Sequence, residues 1–434
     1  MPNKPCINVW KTPNLPADWF KRKNPVEKDN ASLEAKIRHI ISQVRLNGDA
    51  ALFEFTEKFD KVQLTEQTLQ VTQKEIENAY RKVKQEQIAA LKLMKDRLAS
   101  REKHALRQIP IQTSCEGITV QTVLRPLESV GCYVPGGRAV YPSTVVMTAL
   151  PAKIAGVKRV VVCSPPTEQG TINPLILVAS DICGVEEIYK VGGAQAIAAM
   201  AYGTKTIKAV KKIVGPGSTY VTIAKILVSQ DVAIDVPAGP SEVLVLADET
   251  ANPQIVAADM ISQAEHGADS IAGLITTSKR FAQAVAAALE ELSVSTARAD
   301  IVKAALSTYS FIIVCQTVEE MVELANVFAP EHLEIITRDA QKIAEKITSA
   351  GVILVGPYSP VALSDYASGT NHVLPTAGFG HSFSGLSVLD FLRRVNIVES
   401  TKDGLQKVKE SIKVLTDTEN LPNHYRAVEA RFKE

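Results

Sequence analysis

The chain has 434 residues, too many for one compact hydrophobic core, so two or more domains are expected. Hydrophobic residues make up 46% and charged residues 22%, an ordinary globular composition that excludes a disordered chain. Lys and Arg number 48 against 47 Asp and Glu, a formal net charge of +1, which removes the electrostatic reason to expect nucleic acid or an anionic membrane as a partner.

The first residues, MPNKPCINVWKTPNLPADW, have no apolar signal core and are not rich in Arg and Ser, so neither a secretory nor a transit peptide is expected. The most apolar stretches downstream are short and broken by Gly, Pro or charge, which predicts a soluble, cytoplasmic protein without a membrane span. Residues Leu33, Ile37, Ile40, Ile41 and Val44 recur at helical spacing before an Asn47–Gly48 stop. A second, highly charged helix is predicted from about Lys74 to His104, with Ile76, Tyr80, Val83, Leu91 and Leu98 on one side. His39 and His104 lie among polar neighbours on these helices and read as surface histidines.

Near Val130 the texture changes to short apolar runs alternating with helical segments. The runs cover 130–134, 159–164, 187–191, 212–215, 242–247, 272–277, 311–315, 333–337 and 351–356. Continuous β-branched runs separated by helices predict parallel strands covered on both faces, most simply as two doubly wound sheets. Several runs border Gly and Pro loops: VPGGRAVYPS (134–143), VGGAQA (191–196), VGPGSTY (214–220) and VPAGPSE (236–242). Glycine there lets backbone approach a ligand, and open parallel sheets bind ligands at the carboxyl ends of their strands. No GxGxxG or GxxxxGK[ST] occurs, so the loops alone do not establish nucleotide binding. After Gly380 the pattern weakens into a charged tail that reads as helical.

Four segments hold chemistry. In NPQIVAADMISQAEHG (252–267), Asn252 suits a helix N-cap and Pro253 its first turn, which puts Gln263 and His266 three apart on one face of the last turn. These two can bind a metal, although a histidine in a last turn also simply complements the helix dipole. In APEHLEI (329–335), Glu331 and His332 open a β-type run; a carboxylate that activates water beside an imidazole titrating near neutrality suits acid–base chemistry, and a surface turn is the competing reading. The loop 363–380 carries Asp365 and His372, and the tail carries Glu419 and His424. Gln263, His266, Asp365 and His424 together would form a mixed N/O set suited to zinc or manganese. The cysteines at 6, 115, 132, 163, 183 and 315 form no CxxC pair, so no thiolate metal site or disulfide framework is indicated, and a reducing compartment is expected.

The motifs VGCYVPGGRAVYPSTVVM, VGGAQAIAAMAYGT, DVPAGPSEVLVLAD, SQAEHG, APEHLE and GTNHVLPT, found in this order, resemble the histidinol dehydrogenases from about residue 30 to the C-terminus. The resemblance implies two Rossmann-like, aldehyde-dehydrogenase-like α/β domains with small terminal extensions, assembled as a homodimer. It divides the chain into an arm (1–27), a discontinuous first domain (28–128 and 237–380) holding the metal and catalytic residues, a second domain (129–236) on the NAD side, and a helical dimerisation tail (381–434). Gln263, His266, Asp365 and His424 would ligate zinc, and Glu331 and His332 would form the catalytic pair. Ser241, Gln263, His266, His332, Asp365, Glu419 and His424 would contact L-histidinol, with Glu419 and His424 reaching the partner's site, and Tyr133, Gln195 and Ser218 would contact NAD. Ser218 departs from the family's usual Asn, a hydroxyl of shorter reach. The implied activity is zinc-dependent oxidation of histidinol to histidine with two NAD. The alternatives are a paralogue acting on another alcohol such as a sulfonated diol, a thiol-dependent aldehyde dehydrogenase using Cys132, and a zinc-binding interaction protein without turnover.

Overall fold

A computed structural model describes residues 7–16, 19, 31–108, 111–136, 140–236 and 239–433. Two parallel sheets organise them. The larger orders its strands Asn8–Lys11, Phe311–Val314, Ile271–Thr276, Glu242–Ala247, His332–Ile336 and Val352–Val355. The smaller orders Glu187–Lys190, Arg159–Ser164, Ser129–Tyr133, Lys212–Val214 and Ala233–Ile234. All nine predicted strands are present, each shifted by no more than a residue or two. Their apolar runs are buried on both faces: every residue of Glu242–Ala247 and of Ile271–Thr276 is buried, as parallel strands under helices require. Asn8–Lys11 and Ala233–Ile234 were not anticipated; both are edge strands whose exposed positions blur the apolar run.

The first helix, Ala31–Asn47, buries the predicted Ile37, Ile40, Ile41 and Val44, and Gly48 follows at a φ of 56°. The second predicted helix is two: Gln73–Lys82 and Gln85–Leu106, parted where Val83 turns extended to bury its side chain. The expected division of domains also needs correcting. Helices from 31–106 pack on the five-stranded sheet as well as against 237–380: Ile37, Leu52 and Phe55 share a core with Tyr133, Val161 and Ile197, and Ile88, Leu91 and Leu98 share one with Val145, Val162 and Val373. Residues 8–11, placed in a separate arm, pair in parallel with Phe311–Val314 as an edge of the larger sheet. The apolar stripes of these helices match the smaller sheet.

The tail is not wholly helical. Leu392–Ser400 is a nine-residue strand, antiparallel to Ile118–Pro126, which also pairs with Ile111–Cys115. Nearly all of its residues are exposed, so neither an apolar run nor a clean alternation marks it in the sequence. Helices Lys402–Thr418 and Pro422–Glu429 complete the chain. Among the described residues no helix is long and apolar enough to cross a membrane.

Candidate active site

His332 opens its strand and is buried, held at both ring nitrogens. Its Nδ1 lies 3.1 Å from the carbonyl oxygen of Glu242, on the adjacent strand, and its Nε2 lies 3.3 Å from Oδ1 of Asp365. A carbonyl oxygen only accepts, so Nδ1 carries the proton and Nε2 is the nitrogen left to exchange one. The Glu331 carboxylate approaches Nδ1 to 3.6 Å while Oε2 accepts a hydrogen bond from the Glu242 amide at 2.8 Å. Neighbours on a strand point apart, but Glu331 sits one residue before its strand begins, so both side chains serve one cluster.

The electrostatics follow from this packing. Burial works against a charged His332, yet Glu331 and Asp365 overcome it and raise the imidazole to about 9. Burial raises Glu331 to about 7 against the pull of His332, which suits a base that works near neutral pH. Burial also pushes the Asp365 carboxyl upward, but its hydrogen bond and charge contact with His332, helped by His372 and His266, bring it below its ordinary range.

Helix Pro253–Ala264 starts as its sequence predicts: the Asn252 side chain accepts from the Gln254 amide at 2.9 Å and Pro253 occupies the first turn. It ends in the site. Gln263 is buried in its last turn, and His266 follows just past the helix, its amide bonded to the Gln263 carbonyl at 3.2 Å. His266 is exposed at the rim of the site, but the protein around its ring, opposed by Asp365 and Glu265, lowers its pKa below the usual imidazole range. His266, Tyr141, Ser143, Arg298 and Tyr366 line a cavity of about 550 Å³. One turn back on the helix, Asp259 lies beside Glu334, whose carboxyl is raised by burial and by the Asp259 charge. Glu334 Oε1 accepts from the Val361 amide at 2.8 Å, at the start of the helix that bears Asp365. This carboxyl pair therefore ties together the three elements that present Gln263, His332 and Asp365.

The second ligand edge is on the five-stranded sheet. Tyr133 ends its strand, buried, its hydroxyl accepting from the Gly193 amide at 3.1 Å. Gln195 is buried with its Oε1 unpartnered, as is the Ser164 hydroxyl. A Cβ at Gly136 or Gly192 would fall 2.7 or 2.5 Å from the Pro165 ring, so only glycine lets these loops close on each other. The loop before Ser218 is braced by Asp235, which accepts from the Gly215 amide at 2.6 Å and pairs with Lys225. Ser218 stands exposed before helix Thr219–Val228, its hydroxyl making no cap bond. Orphaned acceptors beside a glycine cradle, at carboxyl strand ends, fit a dinucleotide.

The glycine loops of this sheet lie at carboxyl strand ends. Ser241, Glu242, Glu331 and His332 stand at the amino ends of the larger sheet's strands, and the cavity beside His266 is also lined by Tyr141 and Ser143, at the start of the helix that follows Ser129–Tyr133. Ser241 is half-buried, its carbonyl accepting from the Ile271 amide at 3.0 Å. Glu419 and His424 are elsewhere: both are exposed on the terminal helices. Among the described residues no group of three His, Cys, Asp or Glu side chains forms a metal cage within one chain. The donors present, an amide oxygen, an imidazole and a carboxylate, do match the mixed N/O chemistry of zinc. The sequence reading missed Glu242 and the Asp259–Glu334 pair; a glutamate inside the apolar run LEII is the signal that would have found Glu334.

Two parallel sheets under helices, with a buried acid–base cluster at the strand ends of the larger, define an α/β enzyme. Residues 23–432 match the family described as Histidinol dehydrogenase. A curated histidinol dehydrogenase of Bacteroides fragilis is 45% identical over 413 residues, covering 95% of this chain and 96% of the relative. That of Clostridium acetobutylicum is 44% identical over 409 residues, 94% of each chain. The crystal structure of histidinol dehydrogenase from Elizabethkingia anophelis superposes with a TM-score of 0.93 at 38% identity, covering 99% of this chain and 98% of that one. This chain belongs to the histidinol dehydrogenase family and is an oxidoreductase.

Proposed function

We propose that the chain oxidises L-histidinol to L-histidine through L-histidinaldehyde in the cytoplasm, with zinc and two NAD. The observation that carries this reading is His332, buried between Asp365 and the Glu242 carbonyl with Glu331 beside it. Gln263, His266, Asp365 and a partner's His424 would hold zinc, which would supply orientation of the amino alcohol, and Tyr133, Gln195 and Ser218 would hold NAD, the hydride acceptor. His332 Nε2 takes the hydroxyl proton in the first oxidation. The aldehyde stays enclosed by Ser241 and Glu419 with the ligand residues. Glu331 then takes a proton from water as its oxygen adds to the carbonyl, whose oxygen receives the proton held on His332 Nε2; His332, neutral again, takes the hydrate's proton in the second oxidation. Nδ1, fixed by the Glu242 carbonyl, keeps Nε2 facing the substrate in both steps.

The homodimer has support in the tail. Leu415 and Val398 are 61% and 64% exposed, and Val414, Ile397, Ile111 and Leu421 are exposed with them. So much uncovered apolar surface in one region suits burial against a second copy, which would carry Glu419 and His424 to the other active site.

The direct test supplies L-histidinol, NAD and zinc and follows NADH, with two NADH expected per histidinol consumed. No NADH with histidinol, but turnover of a sulfonated diol, would replace this substrate. Chelation at neutral pH should abolish turnover and added zinc restore it; an enzyme fully active with no metal bound would refute the metal site. Thiols have no part in this chemistry. Burial raises Cys132 to about 12 and Cys163 still further, leaving neither as thiolate at neutral pH. Replacing both by Ala or Ser should therefore leave both oxidations within a few-fold of wild type. A collapse of aldehyde oxidation with the fold intact would return the mechanism to a cysteine.

A further inference from the structure

Asp60 is the last residue of helix Asp49–Asp60, the end whose dipole disfavours an anion. Its Oδ2 is shut off from solvent and has no hydrogen-bond partner. Burial raises the carboxyl to about 6. A half-buried carboxylate with one oxygen sealed and unpartnered at a helix C-terminus costs stability, and such costs are retained where function requires them. The chain leaving Asp60 places Val62 and Leu64 in the core that holds Tyr133 and Tyr189. Val62 also lies against Gly170, 3.5 Å from the position of its Cβ, in the loop that leaves the carboxyl end of Arg159–Ser164. Asp60 is close enough to Tyr133 for its charge to raise the tyrosine hydroxyl.

Three buried oxygens without partners therefore border one edge of the five-stranded sheet: Asp60 Oδ2, Ser164 Oγ and Gln195 Oε1. The carboxylate and the amide oxygen only accept, so a ligand that satisfies them must bring donors. A phosphate group brings none; a vicinal diol brings two. We propose that Asp60 is a cofactor-binding residue that accepts from the adenosine-ribose hydroxyls and selects NAD over NADP. This deepens the reading of NAD use above and rests on it. The physical reason for selectivity is charge, because a 2′-phosphate would face the Asp60 carboxylate at a desolvated position. No GxGxxG motif occurs here, and the ribose acceptor comes from a preceding helix rather than from the sheet.

The test titrates the full-length enzyme with NADH and NADPH by fluorescence, without substrate. Wild type should bind NADH at least ~100-fold more tightly than NADPH. Asp60→Asn should weaken NADH about ten-fold, the difference between a charged and a neutral acceptor, and leave NADPH no weaker. Thermal stability of the free variant should be unchanged or higher, whereas a purely structural Asp60 would lower it. A second arm needs no mutation: NADH lacking the adenosine 2′-hydroxyl should bind wild type about ten-fold more weakly and the Asn variant no worse than NADH does. Equal binding of NADH by wild type and variant, or of the deoxy analogue and NADH by wild type, overturns the role of Asp60 and leaves NAD use standing. Failure of wild type to bind either dinucleotide overturns both.

Discussion

Replacing His332 by Gln is expected to lower turnover of histidinol about 10³-fold, within the range that a positioned general base supplies. Glutamine fills similar space and can still hydrogen-bond, but it has no nitrogen able to take the hydroxyl proton. The pH dependence should change with it. Glu331 and Asp365 hold the imidazole protonated up to about 9, so the base form grows as pH rises and wild-type activity should climb from neutral towards that value. The Gln variant should lack this ascending limb. Replacing Glu331 by Gln should separate the two halves of the reaction, because only the second oxidation consumes water. Supplied with histidinaldehyde, that variant should remain defective while the first hydride transfer persists. Normal aldehyde oxidation by Glu331→Gln would remove Glu331 from the mechanism, and an unaltered pH profile in His332→Gln would remove His332 as the base.

Mixing two inactive variants, His332→Ala and His424→Ala, should restore about a quarter of wild-type activity after subunit exchange. If each site takes Glu419 and His424 from the other subunit, one site of every mixed dimer contains both wild-type residues. Random reassortment makes half the dimers mixed, and half the sites in those are intact, which gives the quarter. If the tail served its own subunit, each site would retain a lesion and nothing would return. Exchange is checked with mass tags on the two variants. Proven exchange without recovery would end the shared-site proposal while leaving His332 in place. The exposed positions of Glu419 and His424, together with the uncovered apolar residues around them, make the prediction specific to the tail.

The nine central strands were legible in the sequence because a strand buried on both faces leaves a continuous β-branched run, whatever else the chain does. Helix Pro253–Ala264 was legible for an equally local reason, since its cap and first-turn proline lie in its own sequence. The ligand loops announced themselves through glycines that close approach demands, as at Gly136 and Gly192. Assignment of roles to Gln263, Asp365 and Glu331 came from resemblance, not from spacing. Tertiary structure alone decided the rest. Helical stripes carry no address, so only packing showed that residues 31–106 cover the smaller sheet. An exposed strand such as Leu392–Ser400 is held by pairing with residues about 270 positions away, and nothing local encodes that pairing. The strand-end rule names a carboxyl edge, yet His332 and Glu242 stand at the amino edge of the larger sheet, which no local pattern announces. The His332–Asp365 contact joins residues 33 apart, and its 3.3 Å hydrogen bond exists only once the helix that follows Val352–Val355 has folded back on the larger sheet.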